Sequence, residues 1–74
     1  MNSLIEFTNG DKVCIQYITC GLNFKRRLSE LGLFEGMEIE IIKNDYWNPL
    51  IIKIFDSKIA LGRGEAIKIY TEKK

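Results

Sequence analysis

The stretch Gly36-Met37-Glu38-Ile39-Glu40-Ile41 sets apolar and charged residues in alternation. Successive side chains of a strand point to opposite faces, so this period places Met37, Ile39 and Ile41 on one side and Glu38 and Glu40 on the other. One dry face and one wet face is the pattern of half-buried antiparallel sheet. Upstream, Asn9-Gly10-Asp11 reads as a turn, and Val13 and Ile15 then alternate with Lys12, Cys14 and Gln16 as a second half-buried strand that ends around Thr19 to Gly21. Between these strands Phe24, Leu28 and Leu31 fall at i, i+4 and i+7, one stripe of a short helix running from Asn23 as N-cap to Leu31. Gly32 stops it by taking the left-handed C′ position, with Leu33 folding back towards Leu28.

Downstream, Asn44 to Pro49 is a loop that carries Tyr46 and Trp47. The next strand puts Leu50, Ile52 and Ile54 inward and Ile51, Lys53 and Phe55 outward. Asp56-Ser57 turns the chain into a short strand, Lys58 to Leu61. Gly62 to Ala66 is then a tight connection to a last strand, Ile67 to Thr71, with Ile67 and Ile69 inside and Glu72 to Lys74 frayed. Five short strands cannot bury a sheet face on one small helix. A curled sheet that closes on itself buries alternate residues of every strand and removes its edges, so the expected fold is all-β: a small SH3-like five-stranded barrel with one short inserted helix.

Seventy-four residues make a single domain, 1–74, because so short a chain buries only roughly 60% of its unfolded surface and cannot divide that between two cores. With 46% hydrophobic residues, 11 basic and 10 acidic, the composition is that of a globular domain and not of a disordered tail or a basic nucleic-acid arm. No apolar run approaches the roughly 20 residues that cross a bilayer, and Met1 to Phe7 has no signal-like character, so a cytoplasmic protein that is not membrane-inserted is expected. Histidine is absent, which removes the commonest transition-metal ligand and the usual general base. Cys14 and Cys20 would stand about 20 Å apart on a continuous strand, too far for a disulfide, and read as free thiols.

Few residues offer chemistry. Gly62-Arg63-Gly64-Glu65-Ala66 is reminiscent of a phosphate-cradling loop, but no Lys-Ser/Thr follows and no helix N-terminus is expected there, so a tight turn is the stronger reading. Glu38 and Glu40 lie about 7 Å apart on one strand face, where a solvated surface is the default and a loosely held cation the alternative. The cysteines are not spaced as C-x-x-C and read as structural. Lys25, Arg26 and Arg27 fall in the first turn of the proposed helix, where positive charge opposes the macrodipole, so they suggest either a solvated basic face or contact with an acidic partner. Tyr46 and Trp47 sit in a polar loop where the strand pattern asks for no aromatics, as interface anchors or as a cap on the barrel end.

Arg27-Leu28-Ser29-Glu30-Leu31-Gly32-Leu33-Phe34-Glu35-Gly36-Met37-Glu38-Ile39 resembles the FeoA family pattern RL-x-E-L-G-hydrophobic-x-x-G-x-x-hydrophobic. Leu50-Ile51-Ile52-Lys53-Ile54 after Pro49 resembles the family's next strand. Ile59-Ala60-Leu61-Gly62-Arg63-Gly64-Glu65-Ala66-Ile67-Lys68-Ile69 resembles its closing segment, so the likeness covers nearly the whole chain in order. The resemblance implies an SH3-like barrel with an inserted helix, a small cytosolic bacterial accessory of the membrane ferrous iron transporter FeoB, with no enzyme activity and no cofactor. It also implies kinship with the C-terminal domains of iron-dependent repressors of the diphtheria-toxin-repressor type. The chain has no DNA-binding or metal-binding domain ahead of the barrel, which favours the transporter accessory. The Asn44–Asn48 loop is variable in the family, so Tyr46 and Trp47 inherit no role. Partner binding through Lys25, Arg26, Arg27, Tyr46 and Trp47 is therefore the expectation, and catalytic and metal residues are expected to be absent. Nucleic-acid binding by a small barrel and weak transition-metal binding stand as alternatives.

Overall fold

The computed structural model describes residues 1–19, 21–45 and 47–74. In chain order the elements are β1 (Asn2–Ser3), a 3-10 turn (Leu4–Glu6), β2 (Lys12–Ile18), α1 (Gly21–Glu30), β3 (Glu38–Lys43), β4 (Leu50–Ile54), β5 (Ser57–Leu61), α2 (Arg63–Ala66) and β6 (Ile69–Lys73). The strands form one six-stranded antiparallel sheet in the order β1-β6-β2-β3-β4-β5.

The expected alternation holds through the centre of the sheet. Val13, Ile15, Ile39, Ile41, Leu50, Ile52 and Ile54 are all buried. Two bulges bend it: the β2–β6 register shifts between Ile15 and Tyr17, and the β3–β4 register shifts between Ile41 and Lys43. An inserted residue kinks its strand and increases local twist. At the first bulge the parity of β2 changes, so Ile18, not Tyr17, joins the core. The curl brings buried residues from β2 through β6 into one cluster with Leu4, Leu28 and Leu33.

This is the SH3-like, mainly β fold expected, with two differences. The described residues form six strands and not five, because Asn2-Ser3 pairs with Thr71 and Tyr70 although it carries no apolar alternation. Nor does the sheet close: β1 and β5 are its two ends and do not pair. The 3-10 turn and α2, which follow those two strands, instead touch each other, and Leu4 and Ala66 are both fully buried there.

The closing segment also departs from expectation. Arg63–Ala66 is a single helical turn and not a plain tight connection, with the Gly62 amide donating to Glu65 Oε1 at 3.2 Å. Ile67, expected to open the last strand and point inward, is instead the helical C-cap of that turn and is exposed, and β6 starts at Ile69. The C-terminus does not fray: β6 reaches Lys73, and the Lys74 amide donates to the Lys12 carbonyl at 2.9 Å.

Helix α1 begins at Gly21, so Asn23 lies inside it and is not its N-cap. Leu28 is buried and Phe24 half-buried against the core, whereas Leu31 is exposed. The exit is as expected. Gly32 has φ 91°, its amide donates to the Ser29 carbonyl at 3.0 Å, and the Leu33 amide donates to the Leu28 carbonyl at 2.9 Å. These are the two bonds of the Schellman motif, and they carry Leu33 into the core beside Leu28.

Candidate functional site

Because α1 starts earlier than its apolar stripe indicates, Lys25, Arg26 and Arg27 lie in its middle and last turn. Arg27 there sits where positive charge favours the macrodipole, so the first-turn argument for a partner disappears. Two of the three cations are also engaged within the chain. Lys25 Nζ lies 3.2 Å from Glu35 Oε2. Arg27 pairs with Glu65 Oε2, a buried oxygen that accepts no well-directed hydrogen bond, and so ties α1 to α2. The Arg26 side chain has no partner among the described residues.

Glu35 does more than pair with Lys25. Its Oε2 accepts the Ile18 amide at 3.0 Å, joining the end of β2, the second turn of α1 and the segment after Gly32. That backbone hydrogen bond, then the Lys25 ammonium, holds the Glu35 carboxyl below its ordinary pKa. The three tied pieces wall a groove of about 380 Å³. Ile18 and Leu33 form its buried floor, Leu22 (77% exposed) and Phe34 (55% exposed) its sides, and Lys25, Arg26 and Glu35 its rim. Leu22 and Arg26 are four residues apart and share one helix face, opposite the Phe24–Leu28 stripe. Sequence reading singled out the cations and missed Leu22 and Phe34, because their exposure depends on how the helix and the following segment dock.

Trp47 is 92% exposed, so it does not cap the barrel end. Tyr46 lies outside the described residues, as does Cys20; Cys14 is a half-buried free thiol. The stem of the Trp47 loop is firmly held. The Asn44 side-chain amide donates to the Ile5 and Phe7 carbonyls, its own backbone amide donates to Asn9 Oδ1, and its Oδ1 accepts from Arg63 at 2.8 Å. Arg63 also donates to the Asp45 carbonyl. An arginine in a segment read as a mere turn thus anchors a loop nearly twenty residues away, a link no local signal in the sequence reveals. Trp47 precedes β4 and the groove borders residues packed near its far end, where Gly32 lies against the Ile54 side chain. Of the described candidates, Trp47 is carried by the loop before β4, and Lys25, Arg26 and Arg27 are carried by α1.

The remaining candidates stay apart. Glu38 and Glu40 line a shallow depression with Lys12, Lys53 and Phe55, and Glu38 is paired with Lys74 at 2.7 Å. Among the described residues, no three His, Cys, Asp or Glu side chains are placed to hold a metal ion. No described helix is long and apolar enough to cross a membrane.

The FeoA domain family model matches residues 2–73. The chain is 36% identical over 63 residues to the "Putative Fe(2+) transport protein A" of Methanocaldococcus jannaschii, a match covering 85% of this chain and 76% of that protein. It superposes with a TM-score of 0.89 on a crystal structure of "Iron Uptake Regulatory Protein (FeoA)", 29% identical, covering 99% of this chain and 96% of that one. The protein ScaR, crystallised with Zn2+, shares the fold at a TM-score of 0.90 and 20% identity; all of this chain matches 37% of it. A likeness to part of a larger protein at that identity shows shared architecture alone. The near full-length family match, the curated relative and the shared SH3-like fold agree, and this chain belongs to the FeoA family.

Proposed function

We propose that this protein is a cytoplasmic accessory of a ferrous iron transporter, acting without enzyme activity through contact with the cytosolic part of FeoB to support or regulate iron uptake. The observation that carries the reading is the family match across residues 2–73, with a relative named for Fe(2+) transport. The surface is consistent with a binding role. An exposed tryptophan on a hydrogen-bonded stem, and an apolar groove rimmed by Arg26, are features enriched at protein interfaces. Contact through Trp47, with Tyr46 just before it in the chain, and through the α1 cations is the part of this reading that mutation tests directly.

The experiment is a titration of isotope-labelled protein with the purified FeoB cytosolic domain. Progressive resonance shifts are expected, centred on Trp47 and on Lys25 to Arg27. An absence of shifts at about 1 mM, where even weak complexes populate, would overturn FeoB as the partner.

A further inference from the structure

We infer that this protein self-associates through the β4–β5 hairpin tip, with Phe55 of one copy entering the groove beside α1 of a second copy and Asp56 pairing with that copy's Arg26. The tip is unusual on three counts. Ile54 pairs with Ser57, so Phe55 and Asp56 form a two-residue hairpin loop. The turns that close such loops take positive φ at the first central residue, and in type I′ at the second as well, so Gly, Asn or Asp is favoured there. Here that residue is a phenylalanine at φ 48°, a left-handed conformation that bulky side chains rarely adopt. The ring is also 85% exposed. A strained backbone that presents a large apolar ring to solvent gains nothing for folding, and strain of this kind accompanies binding roles.

The groove complements the tip. Leu22 and Phe34 offer apolar sides over a buried floor, and its volume of about 380 Å³ lies at the low end of ligand pockets, suited to one or two side chains. Charges match as well. Arg26 on the rim and Asp56 beside Phe55 are both without a side-chain partner among the described residues, whereas Lys25, Arg27 and Glu35 are paired. Because Glu35 ties the walls together, the groove is already ordered and loses little freedom on filling.

The two surfaces share one end of the molecule. Gly32, the residue before Leu33, lies against the side chain of Ile54, the residue before Phe55. Two copies related by a two-fold axis can therefore exchange tips, each filling the other's groove, as isologous dimers do. An anionic lipid surface is a poorer occupant. It is held by clusters of about 4–8 basic residues, whereas among the described residues the groove offers one unpaired cation, Arg26, and a carboxylate on its rim.

Sedimentation velocity on the full chain from about 10 µM to 1 mM tests this. A concentration-dependent dimer is expected. Arg26→Glu sets like charges together and should weaken it about tenfold or more, Asp56→Arg likewise, and the double variant should recover to within about threefold of wild type. Phe55→Asn, which suits left-handed backbone, should abolish the dimer while leaving thermal stability equal or higher. A monomer at 1 mM overturns the proposal, as does a dimer indifferent to these variants. Two further outcomes overturn it by naming another occupant: a monomer whose Leu22 and Phe34 resonances move only on adding the FeoB cytosolic domain, or one that co-sediments with anionic vesicles through Phe55. Neither a monomer nor an indifferent dimer bears on FeoB binding, which the titration above tests separately.

Discussion

At the scale of single residues, Glu35 and Arg63 each hold together segments distant in sequence. Glu35 accepts the Ile18 amide and pairs with Lys25, and both interactions stabilise the charged form. A carboxyl with a depressed folded-state pKa contributes stability that is present above its unfolded value, near 4, and is lost as pH falls through the lower folded value. Glu35→Gln should therefore lower the melting temperature at pH 7, and the gap from wild type should close as thermal scans move down through the acid range. Arg63 donates to Asn44 and Asp45 beneath Trp47. Arg63→Ala should cost about 1–2 kcal/mol, since hydrogen bonds from a charged group to part-buried acceptors are among the stronger ones. It should also raise both amide exchange at Asn44 and the rotational freedom of Trp47, the only tryptophan and hence a direct fluorescence anisotropy reporter.

At the scale of elements, α1 depends on how it ends. Gly32 at φ 91° lets the chain reverse, and a Cβ there would meet Ile54 Cδ1 at 3.3 Å. Gly32→Ala should destabilise by about 1–2 kcal/mol, the cost of left-handed backbone for an L-residue, measured by urea denaturation. The link between α1 and α2 is weaker. Arg27 is well exposed, so a double-mutant cycle over Arg27→Ala and Glu65→Gln should return a coupling of no more than about 1 kcal/mol. The α1 cations show why local reading falls short: their place relative to the helix start depends on Gly21, a residue that signals a helix end more readily than a beginning.

At the scale of the whole molecule, one core cluster serves every strand from β2 to β6 and the inserted helix. Leu28, fully buried, sits between the helix and the curled sheet. Leu28→Ala should cost about 2–5 kcal/mol, a large share of what so small a domain has in hand, and a sharp fall in the urea midpoint checks it. The sheet stays open at β1 and β5, and the contact between the 3-10 turn and α2 spans that opening. Closure was expected because sheet edges are exposed to mispairing; covering the seam with two short turns answers the same hazard without a further strand pair.

Periodicity was enough to establish β2, β3, β4 and the inward set Val13, Ile15, Ile39, Ile41, Leu50, Ile52 and Ile54, because side-chain alternation is a local property of extended backbone. The Gly32 stop was legible for the same reason, since the left-handed turn depends on one residue type. Tertiary structure alone decided the rest: the β1 pairing, the shift of parity at the Gln16 bulge, the exposure of Leu22, Phe34 and Ile67, and the tie from Arg63 to the Trp47 loop. Each depends on a contact between residues far apart in the chain, and no spacing within either segment encodes where the other will lie.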